Sequence, residues 1–359
     1  MLLLTLALAL AQEPAPELPD SSPPAAERGR WGGIGIPYAS ANSTDGFGLG
    51  LGGEVFRRPP GEDEGYDLKF SVSTYFALSG KYHSHFAQME LYRRHDVLVQ
   101  LGYSRWSNLV YAGSGGEDVA RLNPPEAESG NLLSAPFAMV FVAAPVGKWK
   151  VYGQGFTRFG NADARPGGLL DADRPYGARG GAFGQAAVGV FRQRIDRWPL
   201  PREGWMLDAS LFANLAGERG GDLAPSGGYF AEGSGWLAVG SHLSFGARAH
   251  FTNTFGTQPF FVQELLPGRL KDELGYEQPL TGYGRTRSRG DGLWAVAVEA
   301  RPYAGRVRKG FIDIALYGSV FVEEAFLFAG TDPGPHMPTV GTGFDLVWQG
   351  ATVVRPYAA

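Results

Sequence analysis

The chain has 359 residues, of which 53 are Gly, 25 are Pro and none is Cys. Its 32 basic and 36 acidic residues give a net charge of −4, so the chain as a whole lacks the basic surplus of nucleic-acid-binding proteins. The Gly share (53/359, about 15%, roughly twice ordinary usage) and a charged fraction of only 19% argue against a helix-rich soluble enzyme. The missing Cys excludes disulfides, thiolate metal sites and Cys nucleophiles.

The N-terminal 30 residues contain two segments of contrasting composition. Residues 1–11 read MLLLTLALALA, an apolar run ending in small residues, which is typical of a secretory signal peptide. Residues 12–30 carry five prolines and almost no bulky apolar side chains, and they predict a disordered periplasmic tail. We expect residues 31–359 to form a single domain.

No later segment is long enough to cross a membrane as a helix. Such a helix needs ~18–20 consecutive apolar residues. The longest apolar stretch, Ala135–Gly147, contains two prolines. A membrane protein with this sequence would therefore cross the bilayer with strands.

From Trp31 onward, apolar and small or polar residues alternate with period two, as in Leu68–Leu78 and Leu243–Thr252. This alternation predicts strands with one apolar face and one polar face. About fifteen such runs occur, at 32–39, 46–57, 66–79, 83–93, 97–106, 132–143, 149–159, 182–193, 205–216, 235–252 (two strands), 291–303, 310–323, 339–349 and 351–357.

The second face of these runs is rich in Gly, Ser, Asn and Tyr, and the whole chain has only six Lys. A polar, Gly-rich interior behind an apolar exterior is typical of an outer-membrane barrel. Short links alternating with long ones fit the same architecture; the short ones are Ala41–Asp45, Gly80–Tyr82 and Arg94–Asp96, and the long ones are Tyr111–Asn131, Gly160–Gly181 and Asn253–Gly290. We therefore predict an all-β fold, a transmembrane antiparallel β-barrel of about sixteen strands in a bacterial outer membrane. A soluble β-sandwich or jelly roll is the rival fold.

Glycines and aromatic residues recur along these strands. The glycines of Gly46–Gly53 alternate as strand positions do, and they indicate either room in the lumen or a weakly held strand. Aromatic residues near strand ends predict the girdles at the two membrane interfaces; they are Tyr38, Trp106, Trp149, Tyr152, Trp205, Trp294 and Trp348.

The sequence carries no motif that fixes a chemical reaction. His83 and His85 share one strand face but lack a carboxylate at a telling distance, and we interpret them as lumen or rim residues. His250 is expected to point inward beside Ser244 and Arg248, with no nucleophile fixed next to it. We expect no catalytic residues, no cofactor and no metal; an outer-membrane hydrolase is a remote alternative.

Two blocks of sequence resemble the BamA/TamA-type outer-membrane assembly proteins, also called bacterial surface antigen barrels. The segment GIGIPYASANSTDGFGLGLGGEVFRR (Gly33–Arg58) is similar to the first hairpin of these barrels, and Val97–Gly115 to the part that follows. By this resemblance the first strand, with Gly33, Gly35, Pro37 and Tyr38, forms one side of a lateral seam.

The second block, Pro259–Tyr303, resembles the long sixth loop of the family and the strand after it, and the next strand begins with Phe-x-Asp. The resemblance implies a loop folded into the lumen and locked there by Gly282, Tyr283, Arg289, Asp291, Glu299, Arg301, Phe311 and Asp313. Parity places Asp313 with Phe311 and Ala315 on the inner face. A dry carboxylate there needs a cation. Thr281 stands where the family has Arg, so Arg285, Arg287 and Arg289 are the candidates, and we favour Arg289; alternatively these arginines line a wet lumen.

The resemblance implies insertion or translocation of proteins, or of lipids, through the seam. Expected partners are outer-membrane lipids, unfolded outer-membrane or secreted proteins and periplasmic chaperones, with no nucleic acid. The sequence also departs from the family: POTRA domains are not recognisable before the barrel, and the chain stops one strand short of sixteen or closes with fewer. A passive diffusion channel or surface antigen that keeps the fold is therefore the alternative function.

Overall fold

The computed structural model describes residues 4–5, 30–42, 46–59, 66–110, 129–196, 200–262, 292–309, 312–329, 332–348, 352–354 and 357–358. Its elements are β1 Leu4–Thr5, β2 Trp31–Asn42, β3 Gly46–Arg57, β4 Leu68–Ala77, β5 Tyr82–Tyr92, β6 Asp96–Val110, β7 Ser129–Val146, β8 Trp149–Asp163, α1 Leu169–Asp173, β9 Gly181–Ile195, β10 Gly204–Glu218, β11 Leu223–Val239, β12 Leu243–Gly256, β13 Gly292–Lys309, β14 Ile312–Ala329, β15 Asp332–Trp348, β16 Thr352–Val354 and β17 Tyr357–Ala358.

Fourteen long strands, β2 to β15, form one antiparallel sheet in which each strand pairs with its neighbours along the chain. The all-β antiparallel prediction is confirmed, and the run 235–252 is two strands, β11 and β12. The run 351–357 contains β16 and β17, which lie one after the other along β15. In the described part of the chain, no ladder joins β2 to β15, β16 or β17, so both ends of the sheet are edges.

The two faces of the sheet differ sharply, and β10 shows the pattern. Its inward residues Asp208, Ser210 and Phe212 are buried, whereas its outward residues Leu207 and Leu211 are 46% and 64% exposed. The outward positions of the other long strands likewise carry exposed Leu, Val and Phe side chains. An exposed apolar outer face around a buried, partly polar inner face is the arrangement of a sheet that faces lipid.

The links between strands fall into two groups by position. Links 111–128, 164–180 and 257–291 all lie at one end of the sheet, here called the long-loop end. At the opposite end, the short-link end, the longest link before β15 is 58–67. Long and short links do not simply alternate along the chain, because the short links 43–45 and 78–81 also lie at the long-loop end. The chain enters β2 from the short-link end.

An apolar cluster covers the inner face of β7 to β10 near the long-loop end. Leu170 of α1 and the segment Pro259–Val262 pack on the inward residues Leu133, Phe183 and Ala216, and Phe260, Phe261 and Val262 are at most 1% exposed. The Phe260 amide donates to the Tyr176 carbonyl oxygen over 3.0 Å. The first residues after β12 therefore fold inward, as the sequence analysis expects for the start of the sixth loop.

Inward glycines lie directly opposite inward aromatic rings on neighbouring strands. The pairs are Tyr38–Gly50, Gly102–Phe137, Tyr152–Gly189, Phe212–Gly228 and Trp236–Gly246. A Cβ at each of these glycines would contact or overlap the ring. The glycines thus make room for rings that cover their backbone, a known stabilising arrangement in sheets.

This packing corrects part of the predicted girdles. Tyr38, Trp106 and Tyr152 point inward, because each shares its strand parity with buried inner-face residues. Trp149 and Trp205 do lie on the outer face at the short-link end, on either side of the Arg192 guanidinium, 5.8 and 5.2 Å from the ring centres. Trp294 faces outward at the long-loop end, whereas the side chain of Trp348 lies outside the described part.

Candidate functional site: the sheet edges and the inner wall

The first edge of the sheet is β2, which bears the four predicted seam residues. Gly33, Gly35 and Pro37 are exposed on its outer face, whereas Ile34 and Ile36 face inward. Over positions 31–37, the outer face of β2 therefore carries a large apolar side chain only at Trp31, in contrast to the Leu and Phe of β3 beside it. Proline lacks a backbone N–H and is tolerated in a sheet mainly at an edge or a bulge, which agrees with the position of Pro37.

Tyr38, the fourth predicted seam residue, ties β2 to the rest of the sheet. Its ring crosses Gly50 of β3 and stacks on Tyr75 of β4, with ring centres 6.0 Å apart and planes within 6°. Its hydroxyl lies 3.3 Å from both Ser73 Oγ and the Thr74 carbonyl oxygen. On its free side, β2 pairs only with β1, through Ala39 and Tyr38.

The second edge is β15. Beyond β14, its ladder partners are β16 along Leu346–Trp348 and β17 along Thr342–Gly343. In the described ranges, these two short ladders reach no further along β15 than Thr342. Pro333, Pro335 and Pro338 lie in the half of β15 before Thr342, and a proline supplies no backbone donor for pairing with another strand.

Two of the predicted lock residues meet in the middle of the inner wall. An Arg301 guanidinium nitrogen lies 2.6 Å from Glu299 Oε2, and Ser319 Oγ donates to Glu299 Oε1 over 2.6 Å. The side chains of Arg301 and Glu299 are only 2% and 3% exposed. Such a buried ion pair is costly to break, because removal of one partner leaves an uncompensated charge.

Asp313 forms a second, separate ion-pair group at the short-link end. Arg306 donates to both of its carboxylate oxygens, over 2.6 and 2.8 Å, and Arg308 lies 3.3 Å from Oδ2. A bulge between Tyr303 and Gly305 places these arginines on the inner face. Gly305 has φ 145°, a conformation that favours glycine.

The predicted pairing of Asp313 with Arg289 is wrong on grounds of reach. Arg289 is three residues from Gly292, a chain length of ~11 Å, to which its side chain adds several ångströms. Gly292 and Arg308, the residue opposite Asp313, are the two ends of sixteen strand steps along β13, or ~50 Å at ~3.3 Å per step. The same limit excludes Arg285 and Arg287. The other predicted lock residues, Gly282, Tyr283, Asp291 and Phe311, lie outside the described residues, as does Arg289 itself.

A third ionic group was not foreseen from the sequence. Glu232 Oε2 accepts a hydrogen bond from Arg248 over 2.7 Å and lies 3.0 Å from His250 Nδ1, and the His250 ring packs edge-on against Phe230. His250 points inward as expected, but its partner is a carboxylate on β11 that the sequence analysis did not consider. In the described ranges, no three His, Asp or Glu side chains are grouped as metal ligands.

No family model and no curated protein matches the sequence. Among solved structures, the chain is similar to BamA of Haemophilus ducreyi lacking POTRA domains 1–3, with 12% identity, a TM-score of 0.47 and 89% of this chain covered. The chain spans 64% of the length of that structure. It is also similar to a bacterial polysaccharide outer-membrane secretin, with 10% identity, a TM-score of 0.34, and coverage of 90% of this chain and 98% of the other. Within the described ranges, no helix is long and apolar enough to cross a membrane.

Proposed function

We propose that this chain is an outer-membrane β-barrel that inserts or translocates proteins through a lateral seam between β2 and the strands that end the sheet. The observation that carries the proposal is the pair of edges. Thirteen ladders join the fourteen long strands without a break. In the described part, by contrast, β2 has only the two-residue strand β1 on its other side, and the ladders beyond β15 reach only Leu346–Trp348 and Thr342–Gly343. A free strand edge offers backbone groups that can pair with an incoming strand.

The composition of the edges supports the same role. With Gly33, Gly35 and Pro37, the outer face of β2 offers little apolar side chain to the lipid. The hydrophobic surface of this edge is therefore poorly matched to the lipid chains beside it, and the bilayer can thin locally. The prolines of β15 oppose permanent closure. Unfolded outer-membrane or secreted proteins delivered by periplasmic chaperones are the proposed clients.

The test uses cross-links, which the Cys-free chain makes simple. Cys is introduced at Gly35 and, in a series of variants, at the outward positions His336 and Val340, which lie before the part of β15 that β16 and β17 cover. Purified protein in liposomes is then assayed for the folding rate of a denatured outer-membrane protein, before and after oxidation. We expect acceleration over empty vesicles, lost when the seam is cross-linked and regained on reduction.

The matched control is a Cys pair at Gly53 and Val72, which lie directly opposite on β3 and β4 and share the outer face. Oxidation of this pair should leave the acceleration unchanged, because that ladder is already intact. No acceleration by the unmodified protein, together with a steady ion conductance, would favour the passive channel instead.

A further inference from the structure

An isolated polar group interrupts the apolar outer face on β4, β5 and β6. From the short-link end, the first three outward rows across these strands are apolar: Leu68, Leu91 and Val97, then Phe70, Met89 and Val99, then Val72, Ala87 and Leu101. The fourth row is Thr74, His85 and Tyr103, and the fifth is Phe76, His83 and Arg105. His83 and His85, interpreted from the sequence as lumen or rim residues, thus lie on the lipid-facing side.

The two histidines form a hydrogen-bonded chain with Thr74. Thr74 Oγ1 lies 2.6 Å from His85 Nδ1, and His85 Nε2 lies 3.1 Å from His83 Nδ1. When the Thr74 hydroxyl donates to His85 Nδ1, His85 Nε2 carries a proton and donates to His83 Nδ1. His83 Nε2 then carries a proton as well, and this N–H is the end of the chain.

Aromatic rings pack against this arrangement. The Phe76 ring lies 4.9 Å from the His85 ring and 5.8 Å from the His83 ring, and Tyr103 lies 5.6 Å from His83. Apolar and aromatic surroundings strengthen any charge interaction made there, because they lower the local dielectric.

Arg105 is directly opposite His83 and is exposed on the same face. Within the described ranges it has no carboxylate partner. An arginine beside lipid without a counterion is costly, so it needs an anion or water at its guanidinium. His83 beside it is neutral, so it supplies an N–H donor rather than a second full charge.

The height of the group matches a membrane interface. Arg105 is eight strand steps from Val97, or ~27 Å at ~3.4 Å per residue. With a strand tilt of ~40°, the rise across the bilayer is roughly 20 Å, close to the ~25 Å apolar band of such barrels. His83 and Arg105 therefore lie at the edge of the apolar band at the long-loop end, from which the long Arg105 side chain can extend toward the lipid phosphates.

We propose that His83 and Arg105, held by His85 and Thr74, bind the phosphate group of a membrane lipid on the outer face. Arg105 supplies the charge and the His83 Nε2–H supplies a directed hydrogen bond to a phosphate oxygen. The proposal rests on the placement of the outer face in a bilayer and does not depend on insertion of clients.

The test measures lipid retained by the purified full chain in neutral detergent micelles, by mass spectrometry. The probe is phosphatidic acid, with phosphatidylcholine as the neutral lipid and inorganic phosphate as the free anion. We expect phosphatidic acid to be retained about tenfold more tightly than phosphatidylcholine, the effect of roughly one charge-assisted contact. Arg105→Gln and His83→Phe should each abolish most of this preference, and Arg105→Lys should restore part of it.

Arg194→Gln is the matched control, because Arg194 is an exposed outer-face arginine at the short-link end. It should retain the full preference. Equal retention by the unmodified chain and by Arg105→Gln would overturn the proposal. Displacement of phosphatidic acid by an equal concentration of inorganic phosphate would overturn the assignment to a lipid. Since no client is present, failure of this test leaves the insertion assay unaffected.

Discussion

Tyr38 and Gly50 form a cross-strand pair in which each residue depends on the size of the other. The ring occupies the space that a side chain at position 50 would need, and it reaches Tyr75 two strands away. This contact therefore links the edge strand β2 to β4, in addition to the long ladder between β2 and β3.

A double-mutant cycle tests this dependence. Gly50→Ala should destabilise the protein by about 1–3 kcal/mol, because its Cβ overlaps the Tyr38 ring. In the Tyr38→Ala background the same change should cost little, since the ring is gone, and Ala is favoured over Gly in a strand. Unfolding in urea measures both effects. Equal costs in the two backgrounds would contradict the proposed packing.

Asp313 is a second residue whose environment makes a definite prediction. Asp313→Ala removes the bidentate contact with Arg306 and the contact with Arg308, so two neighbouring arginines lose the carboxylate that they share. Because all three side chains are partly exposed, we expect a loss of roughly 1–2 kcal/mol.

The temperature at which the folded band disappears on a gel should fall accordingly. Thr342→Ala is a suitable control, because it loses a single neutral hydrogen bond to the Ser319 carbonyl oxygen. An Asp313 variant as heat-resistant as the parent would show that the ion pair adds nothing to the inner wall.

The sequence predicted that the Asp313 carboxylate needs a cationic partner, but it did not show which arginine supplies it. Counting by twos from Glu299 places Arg306 and Arg308 on the lipid side, and only the bulge before Gly305 turns them inward. The pairing of His250 with Glu232 also depends on the register between strands, as does the placement of an aromatic ring opposite each inward glycine. Register depends on many weak contacts together, which a single sequence does not expose.

At the scale of elements, an ion pair joins the two ends of the link between β3 and β4. Asp67, just before β4, accepts hydrogen bonds from the Arg57 side chain and also lies 3.5 Å from Arg93. The hydrogen bonds from Arg57 lower the pKa of the Asp67 carboxyl from its ordinary value, burial opposes this shift, and the charges of Arg57 and Arg93 reinforce it.

A pH dependence follows from this lowered pKa. Because the folded pKa lies below the unfolded value of ~3.9, the ionised carboxyl stabilises the fold above about pH 4, and this contribution disappears as pH falls through the folded pKa. Asp67→Asn should therefore be less stable than the parent at neutral pH, with the difference shrinking under acid. Urea midpoints at a series of pH values would measure it; a difference independent of pH would exclude the ion pair as its cause.

Most strands were predictable because their signal is local. Alternation in β4 and β10 shows directly in the order of the residues, and both strands were found where expected. The broken end of the sheet was harder to predict, since Thr352–Val354 and Tyr357–Ala358 are too short for a periodic pattern. Their pairing is determined by β15 and not by their own sequence.

At the scale of the whole molecule, the apolar cluster at the long-loop end lies across the inner face. Replacement of both Phe260 and Phe261 by Ala removes two rings that are almost fully buried, one of which packs on Gly160. We expect a clear increase in ion conductance in planar bilayers, because the rings leave a gap that water can enter. Leu223→Ala, an exposed position at the same end, should conduct as the parent does. An unchanged conductance in the double variant would show that this cluster does not block the lumen.

The order of the sheet also has a consequence for how the molecule is made. Every long ladder joins strands that follow one another in the chain, so each can form by local hairpin closure as soon as both strands are present. A ladder between β2 and the strands that end the sheet would be the exception, because its partners come from opposite ends of the sequence. Assembly can thus proceed strand by strand from either terminus, and the proposed seam is the one junction that must wait until the whole sheet has formed.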